Sequence, residues 1–296
     1  MKLSNATLQA ANTGFNAVFN NGFAAAKTVY QDIVMQTKSS GSEEVYGWLG
    51  QLPEIREWLG DRVIRSLELH GFKIKNREFE STISVKRTDM EDDKIGVLAP
   101  LFKHMGRNTA EHPDKLLAEL IEAGFTDKCY DGQYFFDTDH PIRIDEVETS
   151  ASNFQAGSSP AWFLLDLSRD VRPFIYQERL PFEMQALDNS NDENVFKRDE
   201  YLYGVRGRCN VGFGLWQMAY ASKAELNEDN YELARTAMAT LRGNNNKLLG
   251  VKGTHLLVPP ALEGKGRKLL VNALAEAGAS NSWTGSAELI VSPWLS

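Results

Sequence analysis

Charge is missing from the start of this chain: between Lys2 and Lys27 no residue carries one, which is unusual for a solvated tail. Cysteine is scarce as well. Cys129 and Cys209 are too few for a disulfide framework or a tetrathiolate metal site, and they suit a reducing compartment. No apolar run approaches the ~20 residues that a membrane span needs. The N-terminus lacks the basic start and continuous apolar core of a secretory signal. The histidines at 70, 104, 112, 140 and 255 are scattered, with no HExxH pair and no nucleophile elbow. A dinucleotide fingerprint starting at Gly212 fails at Gln217, and a phosphate loop ending in Gly264-Lys265 fails at Pro259. A basic excess is also lacking. Lys and Arg total 32 against 40 Asp and Glu, a net charge of −8, which argues against a sequence-independent grip on nucleic acid.

What is present is a spine. Ile95, Leu98, Phe102 and Met105 recur at helical spacing, and Leu116 and Leu120 resume the phase after a polar gap. A helix from Glu91 to Ala123 would be on the order of 50 Å long. Pro100 and Pro113 each delete a helix hydrogen bond, which predicts kinks or a split. Gly124 stands where a left-handed residue ends a helix, with Phe125 beyond it to pack back on Leu120. The chain's 296 residues, 42% hydrophobic, are enough for one large core or two modest ones.

Around the spine the chain reads in pieces. Residues 1–40 form an arm: Leu8, Ala11, Phe15, Val18, Phe19 and Phe23 mark one helical face and Asn12, Asn16, Asn20 and Asn21 the polar side. Gly14 and Gly22 weaken that helix by roughly 1 kcal/mol each, so it orders only against a surface, its own chain's or another's. Residues 71–79 and 81–87 read as a two-stranded ribbon, too small to be stable alone. Residues 141–160 are polar and read as a loop. Residues 161–167, AWFLLDL, read as a buried strand. From Tyr201 to Leu215 apolar side chains alternate with Arg206, Arg208 and Asn210, which predicts a strand on the order of 50 Å. Asn227 then caps a helix running towards Gly243. A strand at His255–Val258, a helical segment to Gly278 and a strand at Glu288–Val291 complete a small α/β unit.

The best candidate for chemistry is Asp137, Asp139 and His140 in FFDTDHP. Two carboxylates and an imidazole within four residues suit a divalent cation or a base with its orienter. The calcium-loop pattern fails there, however, and His140-Pro141 also reads as a turn, with the aspartates bonding local backbone amides. Cys129 and Cys209 read as core thiols. No catalytic, cofactor-binding or metal-ligating residue is assigned.

Four segments carry a resemblance, in order along the chain: YGWLGQLPEIREWLG at 46–60, CYDGQYFFDTDHP at 129–141, RPFIYQER at 172–179 and GTHLLVPPALE at 253–263. Together they resemble the major head subunit of Mu-like phages, a capsid protein of the Hong Kong 97-like fold. The resemblance implies an α+β architecture with an N-terminal arm (1–40), an extended β-ribbon loop (41–90), a peripheral domain with spine helix and long strands (91–222) and an axial α/β domain (223–296). It tips the arm and ribbon towards neighbouring subunits. It implies a structural protein that self-assembles into pentamers and hexamers of an icosahedral head around double-stranded DNA, held without sequence specificity. Implied partners are a scaffold and head protease, a portal and decoration proteins, with no membrane. Implied locations are the virion and, during assembly, the host cytoplasm. The alternatives are an encapsulin-like compartment with protein cargo, or a metal-dependent hydrolase built on Asp137, Asp139 and His140.

Overall fold

The computed structural model describes residues 4–49, 72–92, 94–144, 147–189, 191–243, 246–274 and 280–296. The first element, α1 (Asn5–Ala25), is capped by the Ser4 hydroxyl, which accepts from the Thr7 amide. It is followed by α2 (Tyr30–Ile33), β1 (Val34–Lys38), β2 (Glu43–Val45), β3 (Lys73–Lys75), β4 (Arg77–Lys86) and α3 (Arg87–Glu91). The spine helix α4 (Ile95–Ala123) leads to β5 (His140–Ile144), β6 (Val147–Ala151), β7 (Phe154–Gln155) and β8 (Trp162–Leu165). Next come β9 (Phe174–Leu187), α5 (Glu193–Arg198), β10 (Glu200–Phe213) and β11 (Ala219–Ser222). The chain closes with α6 (Glu228–Ala239), β12 (His255–Val258), α7 (Glu263–Leu270) and β13 (Glu288–Val291).

The spine differs from expectation at both ends and in the middle. It starts at Ile95, because residues 87–91 form the separate short helix α3. It runs unbroken for 29 residues, about 43 Å, with Pro100 and Pro113 inside it rather than dividing it. Gly124 is right-handed, at φ −58° and ψ −18°. Its lack of a side chain serves close approach: a Cβ there would lie 2.8 Å from the Phe136 ring. Phe125 joins Phe136, Phe154 and Phe163 at ring distances of 5.2–6.2 Å.

The arm finds its surface on its own chain. Leu8, Ala11, Phe15 and Phe19 are buried, and Phe15 stacks on Phe102 of α4 at 4.0 Å, with Tyr203 of β10 edge-on to both. Gly22 and Gly106 bring the two helices so close that a Cβ on either would run into the other's backbone. Residues 34–38 are likewise sheet and not arm, since β1 pairs in parallel with the first part of β9. Asp114 of α4 fixes the approach: its carboxylate accepts from the amides of Val29 and Tyr30 at 3.0 and 2.6 Å.

One sheet has the order β1-β9-β10-β4. The predicted long strand is β10, and its alternation is borne out: Tyr201, Tyr203, Val205, Cys209, Val211 and Phe213 are all buried. Its partner β9 is equally long and antiparallel, with an irregular register around Gly207, where the Phe182 ring occupies the space a Cβ would need. The expected ribbon at 71–87 is not a hairpin. No turn residue separates its halves, so residues 77–86 run on as the single strand β4 along β10, while β3 pairs with β2. Residues 50–60 of the YGWLGQLPEIREWLG segment lie outside the described residues.

The second sheet has the order β13-β12-β8-β11-β7. Its centre, β8, is buried at every residue. The predicted strands at 255–258 and 288–291 are present, and α6 is capped by Asn227 as expected. Nevertheless 223–296 is not a self-contained unit, because β7, β8 and β11 precede residue 223 and supply the rest of the sheet. The helix after β12 ends at Leu270; residues 275–279 are outside the described set. The polar stretch 141–160 holds the antiparallel pair β5–β6, which solvates most of β6 and therefore reads as loop in composition. One apolar cluster joins both sheets to the end of the spine through Leu117, Ile121, Phe135, Phe163, Phe213 and Trp216.

Candidate functional site

The polar groups that matter lie where the two sheets meet. After α4 the chain makes a tight turn at 129–133, closed by the Cys129 amide donating to the Gln133 carbonyl at 2.8 Å. Gly132 adopts φ +87° there, a left-handed conformation that a side chain would strain. The turn aims Asp131 inward. Its Oδ2 lies 2.7 Å from Nδ1 of His140, a ring with no solvent exposure. The other ring nitrogen, Nε2, is 3.2 Å from Oδ1 of Asn153. Below them the ring stacks on Trp216 at 3.9 Å and 9°.

These contacts orient the ring. The Asn153 amide nitrogen donates to the carbonyls of Phe135 and Trp216 at 2.9 and 3.3 Å, while its oxygen accepts from the Asp137 amide at 2.9 Å. The oxygen is therefore the atom facing Nε2, and a carboxylate faces Nδ1, so each ring nitrogen meets an acceptor. His140 is thus held between Asp131 and Asn153 and lies flat over an indole face. Burial alone would raise the Asp131 carboxyl. The hydrogen bonds from His140 and Cys129 outweigh it and hold the group below its ordinary range.

The predicted trio does not converge. His140 turns inward, whereas Asp137 stays at the turn, its carboxylate accepting from the amides of Thr138 and Tyr134 at 2.7 and 3.3 Å. The hydrogen bond with Asp137 raises the exposed Asp139 above its ordinary value. The turn interpretation is thus right for Asp137, and a base or metal site from all three is not formed. A different trio is close: one donor atom each from Cys129, Asp131 and His140 lie within 4.8 Å of one another. They do not suit a metal. Both ring nitrogens and both carboxylate oxygens already hold protein partners, and the thiol donates to Asp131 at 3.1 Å. Burial also pushes the Cys129 thiol far above its ordinary value, against the thiolate a metal requires. Asp131 and Asn153 were missed from sequence; the Asp-Gly turn in CYDGQ was the one local signal available for the first.

A shallow pocket of about 250 Å³ is lined by Asp32, Leu167, Arg172, His255, Glu288 and Ile290. Three of its charged or titratable side chains have partners. Arg172 donates to the carbonyls of Gln31, Asp32 and Val34, and His255 pairs with Glu288 at 3.4 Å. What this geometry does is hold three segments and two sheets in one fixed arrangement, which is work for a building block.

Comparison with known proteins decides which kind. Residues 8–295 match the family described as the Mu-like prophage major head subunit gpT. The chain belongs to that family. The head subunit is 42% identical over 276 residues to the FluMu prophage major head subunit of Haemophilus influenzae, covering 90% of each. It is 38% identical to the major capsid protein of Escherichia phage Mu over the full length of both. On the subunit of the bacteriophage JBD30 procapsid it superposes with a TM-score of 0.89, at 40% identity over 99% of this chain and 100% of that one. On the bacteriophage JBD30 capsid the score is 0.79, at 30% identity over the whole of both chains. The head subunit therefore has the Hong Kong 97-like capsid fold that its sequence motifs implied, and it is a structural component of a phage head. The nanocompartment and hydrolase alternatives are not favoured.

Proposed function

We propose that this head subunit closes into pentamers and hexamers of an icosahedral shell that encloses double-stranded DNA without reading its sequence. The observation that carries this is the near-complete superposition on a procapsid subunit at a TM-score of 0.89. Heterologous contacts that close into rings, repeated many times, make a stable shell from individually modest interfaces. A net charge of −8 suits a wall along which packed DNA slides rather than sticks. The four-stranded sheet with α1 and α4 would form the peripheral part. The five-stranded sheet with α6 and α7 would form the axial part at the ring centre, taking in β7, β8 and β11 beyond the boundary expected at 223. The subunit performs no catalytic step of its own. Scaffold, head protease, portal and decoration proteins act on it in the host cytoplasm, and it ends in the virion. One JBD30 structure is a capsid decorated with minor capsid protein trimers, which supports the decoration role for this chain.

Sedimentation and negative-stain microscopy of the purified chain test this. Megadalton shells or rings are expected; a monomer or dimer at every concentration would refute it. Nucleic acid in the shells, rather than a protein cargo, is the expected content.

A further inference from the structure

Two polar atoms near the end of β9 are buried without a hydrogen-bond partner in the chain: Oδ2 of Asp188 and the hydroxyl of Tyr203. Such atoms are rare in folded proteins, and they point to a partner from outside the chain.

The strand register brings the two groups together. Ala186 of β9 lies opposite Tyr203 of β10, and Leu187 opposite Leu202. Side chains alternate across a strand, so Asp188, two residues past Ala186, falls on the face of Tyr203 and diagonal to it. The phenol cannot swing out to water. Its ring is fully buried and is held edge-on by Phe15 at 5.1 Å and Phe102 at 5.4 Å. Each group registers the other's neighbourhood: burial and then the Asp188 charge raise the Tyr203 hydroxyl above its ordinary value. Burial, with Asp192 adding to it, does the same to the Asp188 carboxyl.

Asp192 brings a second carboxylate to the same turn. Its Oδ2 accepts at 2.9 Å from the amide of Asn189, the residue that follows Asp188. The bases close by in sequence are engaged elsewhere: Arg87 pairs with Glu91 and Asp199, and Lys197 pairs with Glu193. Among the described residues no lysine, arginine or histidine forms an ion pair with Asp188 or Asp192. The turn therefore lacks positive charge as well as a donor. A water molecule would offer hydrogen bonds but leave the two carboxylates repelling each other. The donors are all oxygen, the set that suits a hard divalent cation, and calcium accepts carboxylates and waters in flexible geometry.

We propose that the turn after β9 is a calcium site, with Asp188 and Asp192 as carboxylate ligands, the Tyr203 hydroxyl as an oxygen donor behind them, and water completing the shell. An ion there clamps the end of β9 to the start of β10, where the Asn194 side-chain amide already bridges the carbonyls of Leu187 and Glu200 at 3.2 and 2.7 Å.

The test titrates calcium chloride alone into the EDTA-treated full-length chain, read by calorimetry and by the melting midpoint. Magnesium chloride, and sodium chloride at matched ionic strength, serve as comparisons. Calcium should bind and raise the midpoint, with magnesium weaker and sodium without the effect. Asp188→Asn and Tyr203→Phe nearly keep the side-chain shapes, and each should weaken calcium binding by about tenfold or more. Their midpoints in EDTA should stay at or above that of the wild type, because a buried charge or an unpartnered hydroxyl has been removed. Asp192→Asn repeats the measurement at the turn itself, away from the buried phenol, with the same expected loss. No calcium uptake by the wild type overturns the proposal. So does uptake that all three variants retain, tighter binding of magnesium than of calcium, or a midpoint that sodium raises equally.

Discussion

Gly22 of α1 and Gly106 of α4 sit at one helix crossing, each leaving room for the other helix's backbone: Gly22 against the Lys103 carbonyl, Gly106 against the Phe19 carbonyl. Gly14, on the same helix as Gly22, has nothing within 4 Å of where a Cβ would be. Glycines that weaken α1 equally by propensity therefore differ in consequence. Gly14→Ala should stabilise the subunit by about 0.5–1 kcal/mol. Gly22→Ala and Gly106→Ala should each destabilise it by about 1–3 kcal/mol through overpacking. Denaturant titration of the three variants checks this, and equal effects at 14 and 22 would contradict the crossing.

Asp131→Asn replaces the carboxylate that holds Nδ1 of the buried His140 ring and accepts from Cys129 and Gln133. It is expected to cost about 1–3 kcal/mol. In the wild type the folded Asp131 lies below its unfolded value of ~3.9, so the stability it contributes is present above that pH and lost as pH falls through the folded value. Unfolding free energy measured from pH 6 to pH 2 should therefore drop more steeply in the wild type than in Asp131→Asn. An equally steep drop in both proteins would contradict the pairing of Asp131 with His140.

His112 makes the opposite kind of demand. It lies between the spine and the first sheet, edge-on to Phe79 at 4.2 Å and Phe182 at 5.9 Å, with Nε2 buried and unpartnered. Burial, with Lys115 and Arg77 adding to it, holds the ring below its ordinary value. The unfolded chain takes up that proton first, near pH 6.5. Stability from neutral His112 is thus present above pH ~6.5 and lost on acidification towards the folded value. His112→Leu should flatten the melting temperature between pH 7.5 and pH 5, and a variant as acid-sensitive as wild type would rule this out.

The native thiols should be inert. Burial pushes Cys209 up to about 11 and Cys129 higher still, so neither offers the reactive thiolate. A thiol reagent at pH 8 is expected to modify neither in the folded subunit and both after unfolding.

What was legible in the sequence was whatever buries locally. The alternation of Tyr201 to Phe213, the apolar phase of α4 and the Asn227 cap depend on neighbours a few residues away, and each is where the pattern placed it. Strand β9 went unseen because only its first part is covered on both edges. Beyond Glu178 it is mostly exposed and carries Pro181, so it lacks a strand's signature. Residues 71–87 were misread for a related reason: their partner β10 lies more than a hundred residues on, and no periodicity reports that. At the junction, His140 was singled out for its chain neighbours, whereas its true partners Asp131, Asn153 and Trp216 come from three other segments.

Strand β10 has α5 at one end and, three residues past the other, Trp216 under His140. Fourteen extended residues at ~3.3 Å make a stiff arm of about 46 Å. A torque exerted on the outer tip thus has a direct mechanical route to the seat of the His140 ring, and the two sheets feel load in series.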